Sequence, residues 1–405
     1  MKQLFPLIVL GLILRLALMP AYVHPDLKGF NFGAYLISQQ GRLFTFYDYL
    51  SQLPPQHQLV VQYHPDLFIY PPLAYLTPAL FMRLLSPLYN WQVLQQFIFD
   101  AAKIIQSPAM VPLAIVLKLP YLVPDFICLL LITRLVDQRH RFLAGLLWLF
   151  NPVNLYSTYL IGQFDIYLVT LVLLALYFAH RNQTVLAALS LGLAAAFKPF
   201  PLFLLPFVST KQSLFSRLMP VGVGLGAFLL VILPYLPSAG FRNYALFAPQ
   251  TDKLQFAKVM VSATQYLPLF FVGLIFMLWH HYYRPQLLPT WGWFASVFLL
   301  FYSLTHFHPQ WFLWATPFVI LWFVSLPRSR LPLAILVGLY FALIMTFEPS
   351  LNWTIFRSDF SLMTWLDKYH MADYFASLLR GAFAATALYL VLSLSRSSPV
   401  SGGDT

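Results

Sequence analysis

Residues 162–201 read GQFDIYLVTLVLLALYFAHRNQTVLAALSLGLAAAFKPFP. Two apolar runs, 164–180 and 184–197, flank a short polar joint that carries Arg181. The second run stops at Lys198-Pro199, where proline cannot continue a helix, and a third short run covers 199–209. A transmembrane helix needs about 20 apolar residues to cross a hydrocarbon core about 30 Å thick. The runs therefore read as spans, two of them short, with charged residues only at their edges.

The rest of the chain has the same character. Of 405 residues, 60% are hydrophobic and 9% charged, and there are 39 Phe, 23 Tyr and 10 Trp. A soluble globular chain carries about 25% charged residues, so this composition excludes a soluble fold. The single cysteine excludes a disulfide scaffold. Further candidate spans lie at 4–20, 110–135, 143–161, 216–237, 259–280, 291–306, 309–326, 331–347 and 376–395. No stretch alternates as a membrane barrel strand would. The expected fold is an all-α polytopic membrane protein of about twelve helices, one domain over 1–405. The first span is not read as a cleaved signal peptide. Arg15 lies inside it, and no small-x-small cleavage site follows.

The net charge of +11 is read as the positive-inside bias of a membrane protein, not as affinity for nucleic acid. Arg134, Arg139, Arg141, Arg181, Lys211, Arg217, Arg284, Arg328, Arg330 and Arg396 all fall on one side if both termini are cytoplasmic. Three long segments, 21–109, 238–258 and 348–375, then lie outside. Most acids (Asp26, Asp48, Asp66, Asp100, Asp165, Asp252, Glu348, Asp359, Asp367 and Asp373) lie on that face or in the membrane just beneath it. Asp125 is within a span, and Asp137 and Asp404 are cytoplasmic. Keeping this pattern requires 73–86 and 91–106 to be helices in the outer interface rather than crossings. In the second, Trp91, Leu94, Phe97, Ile98, Ala101 and Ile105 form an apolar stripe at helical spacing. The inner loops, about ten residues or fewer, cannot hold a nucleotide-binding unit of 30 or more residues. Gly222-Val223-Gly224-Leu225-Gly226 lies within a span and reads as a helix-packing face.

The chemistry-bearing residues gather on the outer side. His24-Pro25-Asp26 places a carboxylate just past the first span, where partial burial would make it a usable general base, or where it would cap a helix. His64-Pro65-Asp66 repeats the triplet before Tyr70-Pro71-Pro72-Leu73, as a second acid or as a second helix start. Gly162-Gln163-Phe164-Asp165 ends one span and opens another, with Asp165 as a site residue or an N-cap. Lys198 needs an anionic partner, which is Asp26, Asp165 or a bound phosphate. His306 and His308 are phosphate donors or interface anchors; an HxH pair alone is too few ligands for zinc. Arg242, Lys253 and Lys258 form a basic lid or a solvated loop. Cys128 reads as packing. No cofactor is assigned, and a divalent metal is left open.

In chain order these motifs resemble the GT-C superfamily of membrane glycosyltransferases. That family carries a catalytic Asp in the first outer loop, written His-Pro-Asp in several branches, and Asp26 matches it. Tyr70-Pro71-Pro72-Leu73 is similar to the Pro-Pro-Leu start of a juxtamembrane helix in protein mannosyltransferases and aminoarabinose transferases. Lys118-Leu119-Pro120 with Asp125 resembles the start of a span in bacterial members. Asn151-Pro152, then Gly162-Gln163-Phe164-Asp165 and Phe197-Lys198-Pro199, resemble bacterial mannosyltransferases similar to the GPI-anchor enzymes. His308 takes the place of a phosphate-binding histidine. Relatives often continue that motif with an acid and a base, whereas Pro309 and Gln310 stand here, so other cations must serve the phosphate.

The resemblance implies inverting transfer of a hexose, mannose first, from a polyprenyl-phosphate sugar to a lipid-linked, glycan or protein acceptor. Asp26 would be the base. Lys198, His308, His306, Arg242 and Lys258 would face the phosphate, while Asp66, Asp165, Tyr70 and Gln163 would orient substrate. The compact chain without an ER-retention signal points to a bacterial plasma membrane rather than the ER, and the charge pattern puts the site on the outer face. The competing readings are a lipid-linked sugar flippase and an inactive homologue that scaffolds another enzyme.

Overall fold

The computed structural model describes residues 4–209, 213–247, 249–356 and 361–397. Lys211, Asp359 and Asp404 lie outside the described residues. The described residues are nearly all-α, with one two-stranded hairpin in which Lys258–Met260 pairs antiparallel with Tyr266–Pro268. Among the described residues, four helical stretches are long and apolar enough to cross a membrane: Met110–Leu135, Leu214–Tyr235, Pro327–Ile344 and Ala372–Leu394. Shorter apolar helices fill most of the other expected stretches: Phe5–Leu18 (α1), Asp165–His180, Thr184–Ala195, Leu269–Tyr283, Thr290–Leu304 and Thr316–Ser325.

The shortening has local causes. The run expected at 143–161 opens as an α-helix that ends early, over Arg141–Leu149. The Asn151 side chain then accepts from the backbone N–H groups of Val153 and Asn154, with Pro152 at N1, and this cap starts a new segment. It continues as a π-helix over Leu155–Ile161 and stops at Gly162, whose φ is +79°. The segment 199–209 is a 3₁₀ helix over Phe200–Phe207, because prolines at 201 and 206 deny it regular α hydrogen bonds. The span expected at 259–280 is corrected. Its first part is the exposed hairpin, and the helix begins only at Leu269, after Pro268. Val259, Val261 and Tyr266 are strand formers as well as apolar, so hydropathy alone misassigns the stretch.

The segment 21–109 holds more order than expected. Pro25–Ser38 (α2) is a helix buried on most sides. It packs on Leu73–Leu84 (α3), the helix expected at 73–86. The helix expected at 91–106 breaks at Asp100 into Trp91–Phe99 (α4) and Ala101–Ile104. Leu94, Phe97 and Ile98 of its apolar stripe are buried within the protein, whereas Ile105 is exposed. The stripe therefore packs mainly on protein.

A buried ion pair ties α1 to the helix Leu122–Leu135 (α5). Arg15 Nε donates to Asp125 Oδ2 at 2.6 Å, and both residues are inaccessible. Asp125 also accepts from Tyr159 OH, Trp148 Nε1 and Asn154 Nδ2 at 2.6, 2.8 and 2.9 Å. A buried carboxylate is tolerable only when its lone pairs are taken up in this way.

Candidate functional site

Asp26 stands in the first turn of α2, and the cap of that helix is His24. His24 Nδ1 accepts from the Asp26 backbone N–H at 3.1 Å. That acceptor role puts the ring proton on Nε2, which is buried and has no partner among the described residues. Burial holds the His24 imidazole below its ordinary pKa, against Asp26 and Glu348, which favour the charged form; Lys118 adds to the lowering. The ring is thus neutral, and its 3.6 Å approach to Asp26 Oδ2 is not an ion pair. The Asp26 carboxylate is 37% exposed and accepts from Gln163 Nε2 at 2.5 Å. Gln163 is fully buried, and its Oε1 has no partner among the described residues.

Gln163 reaches Asp26 because Gly162 turns the chain with a positive φ between the π-helix and the helix Asp165–His180 (α6). Asp165 is the first residue of α6 and caps nothing through its side chain. Its carboxylate takes Lys198 Nζ at 2.7 and 2.9 Å and Trp314 Nε1 at 2.6 Å. Lys198 Nζ lies 5.0 Å from the ring centres of Tyr70 and Phe164, and 5.3 Å from those of Trp311 and Trp314. Of the three partners open to Lys198, the structure selects Asp165 within an aromatic cage. The ammonium is committed there and does not stand free for a phosphate.

A second lysine, Lys253, also approaches Trp311. Its Nζ lies 2.8 Å from His308 Nε2 and 5.3 Å from the centre of Trp311. No ion pair joins it to a carboxylate among the described residues. Burial, then the Lys253 charge, then His306, Lys198 and His24, push His308 down to about 3. His308 is therefore neutral and accepts from Lys253, presenting that lysine instead of acting as a cation. Burial and the Lys198 charge also lower the Lys253 pKa, while Glu348 opposes them.

Other expected site residues are not brought here. The Arg242 guanidinium is exposed and donates to the carbonyls of Leu236 and Pro237 at 2.6 and 2.8 Å. Lys258 is on the exposed hairpin, 4.8 Å over the Tyr266 ring. Asp66 is exposed and shares no hydrogen bond or ion pair with Asp26. Its triplet ends a helix where the first one starts a helix, because His64, at φ +58°, terminates Gln58–Tyr63. His306 lies beside His308, with ring centres 5.7 Å apart. It lines a cleft of about 620 Å³ with Phe256, Thr305, Phe347, Glu348 and Arg380.

Trp311, Trp314, Arg380 and the role of His24 were missed from sequence. The Trp311–Trp314 pair directly after His308-Pro309 was the available signal, since aromatic faces bind cations. Among the described residues no three His, Cys, Asp or Glu side chains converge as metal ligands. No family model, curated protein or solved structure matches the chain.

Proposed function

We propose that the chain is a GT-C-like inverting glycosyltransferase with about twelve membrane segments and both termini cytoplasmic. It works at the outer face of a bacterial plasma membrane. The donor is a polyprenyl-phosphate hexose, mannose first, and the acceptor is a lipid-linked, glycan or protein hydroxyl. One observation carries this reading. On the contacts of the half-exposed Asp26 carboxylate stand two buried polar atoms without partners among the described residues, His24 Nε2 and Gln163 Oε1, and a third, Trp311 Nε1, is on the ring beside the two lysines. Unpaired buried polar atoms are costly unless a ligand satisfies them. A polyhydroxylated ligand offers both donors and acceptors.

In this reaction Asp26 takes the proton of the acceptor hydroxyl. The oxygen bonds to the anomeric carbon from the face opposite the phosphate. The anomeric C–O bond breaks, and its electron pair leaves with the phosphate. Inverting transfer needs one base and a good leaving group, so Asp66 has no required part. Lys253 supplies charge to the departing phosphate in a site of low dielectric. Gln163 holds Asp26 in place, and the Lys198–Asp165 pair builds the wall behind it.

The test is sugar transfer by purified protein in liposomes, with a panel of polyprenyl-phosphate sugars and acceptors. Asp26→Asn should abolish transfer and keep donor binding. Equal turnover by both proteins removes Asp26 from the chemistry. Passage of the lipid-linked sugar across the bilayer without transfer replaces the enzyme reading with a transporter.

A further inference from the structure

Lys118, in the helix Met110–Lys118 that leads into α5, is fully inaccessible and touches no carboxylate among the described residues. Its Nζ instead meets four backbone carbonyls: Met19 at 2.9 Å, Tyr22 at 2.7 Å, Tyr159 at 2.8 Å and Leu160 at 2.9 Å. An ammonium has three N–H donors, so four contacts mean that charge–dipole attraction sets its position. Two of the carbonyls belong to the chain leaving α1, and two to the last turn of the π-helix. Carbonyls at helix ends lack internal partners and carry partial negative charge. One buried cation thus answers two helix ends.

Both ends lead directly to the site. The chain from Tyr22 runs on to His24 and Asp26, and the chain from Leu160 runs through Gly162 to Gln163. The next contact between these strands of chain is the Gln163–Asp26 hydrogen bond. The Gly162 backbone crosses so close that a Cβ there would lie 3.0 Å from Lys118 Cε and 3.3 Å from Leu27 Cδ1. We infer that Lys118 is a positioning residue, a tethered cation in a four-carbonyl cage, which fixes Asp26 against Gln163. This role rests on the glycosyl-transfer reading only for its effect on turnover.

The experiment uses Lys118→Ala in the full-length protein. The substitution removes Cγ to Nζ, and propylammonium supplies those atoms; 1-propanol is the neutral control. Three properties are read: the melting midpoint in detergent, carbodiimide modification of Asp26 by mass spectrometry, and transfer turnover at saturating donor. In Lys118→Ala the midpoint should fall and Asp26 should become more reactive. Turnover should drop about tenfold or more, as for a displaced base, with donor affinity unchanged. Propylammonium should reverse all of these, propanol none, and wild type should respond to neither.

Equal rescue by propanol would mean that only volume was lost and would overturn the inference. So would a lower midpoint with unchanged Asp26 reactivity. Lys118→Met keeps the volume without the charge, and wild-type reactivity in it would also overturn the inference. If Lys118→Ala folds only when propylammonium is present during extraction, the cage is supported; if no folded protein is recovered even then, it is rejected. Absence of transfer by wild type would remove the glycosyl-transfer reading and leave the melting and labelling outcomes decisive for Lys118.

Discussion

The lysines at 198 and 253 both approach Trp311 within 5.3 Å, yet their chemistry differs. Lys198 has a carboxylate and an aromatic cage, whereas Lys253 has a neutral imidazole. The state of His308 is what makes that difference, and it is testable by pH. In the unfolded chain the ring takes a proton near pH 6.5; in the fold it does so only at about 3. Between those values the unfolded state binds more protons, so stability rises with pH. The contribution is fully present above about 6.5 and is lost as pH falls toward 3. His308→Gln keeps an acceptor for Lys253 and removes the titration. Its melting midpoint should therefore decline less steeply between pH 6.5 and 4 than that of wild type. Parallel declines in the two proteins would assign the pH dependence to other groups. Burial lowers His24 as well, so some slope should remain in the variant.

At the scale of elements, the sequence was legible where charge meets a chain break. Asp26 beside Pro25, Asp165 after Gly162 and Lys198 before Pro199 each advertise a polar residue at a helix edge, and all three are in the constellation. The pairings were not legible. Lys253 and His308 meet across a sequence separation of 55 residues, and nothing local encodes that approach. The hairpin at 258–268 was hidden by its apolar composition. The glycine run 222–226 was read as a packing face, and only its middle member serves as one. A Cβ at Gly224 would lie 2.3 Å from Leu205 Cδ2, and one at Gly192 would lie 2.3 Å from Gly224 O, whereas Gly222 and Gly226 have open space. Gly192→Leu should therefore force apart Thr184–Ala195 and Leu214–Ile232 and destabilise by about 1–3 kcal/mol or more, as overpacking does. Gly222→Leu should change the melting midpoint little. Similar losses from both would mean that these helices do not meet as described.

For the whole molecule, hydropathy and charge gave the all-α membrane character, while the number of crossings rests on helices shorter than a bilayer needs. Their joints are 3₁₀ and π segments set by proline, glycine and asparagine, which a hydropathy window averages away. The proposed orientation makes a direct prediction. The single native cysteine, Cys128, is buried, so a cysteine at exposed position 90 can be labelled alone. A membrane-impermeant maleimide should modify it from the outer side of intact cells. Modification only from the cytoplasmic side would invert the topology and move the site to the inner face.

The two lysines beside Trp311 also differ in what holds their backbones. Lys198 belongs to the frame, at the junction of two packed helical segments. Lys253 rides on Pro249–Gln255, between the π-helical turn Phe241–Leu246 and the hairpin. On the glycosyl-transfer reading, spent lipid phosphate is attracted by Lys253, because Asp165 already neutralises Lys198. The charge that meets the product is therefore carried on the short strap Pro249–Gln255 and not built into the frame. The dwell time of the spent carrier would then be governed by the strap, leaving the rate of bond breaking to Asp26 and its supports.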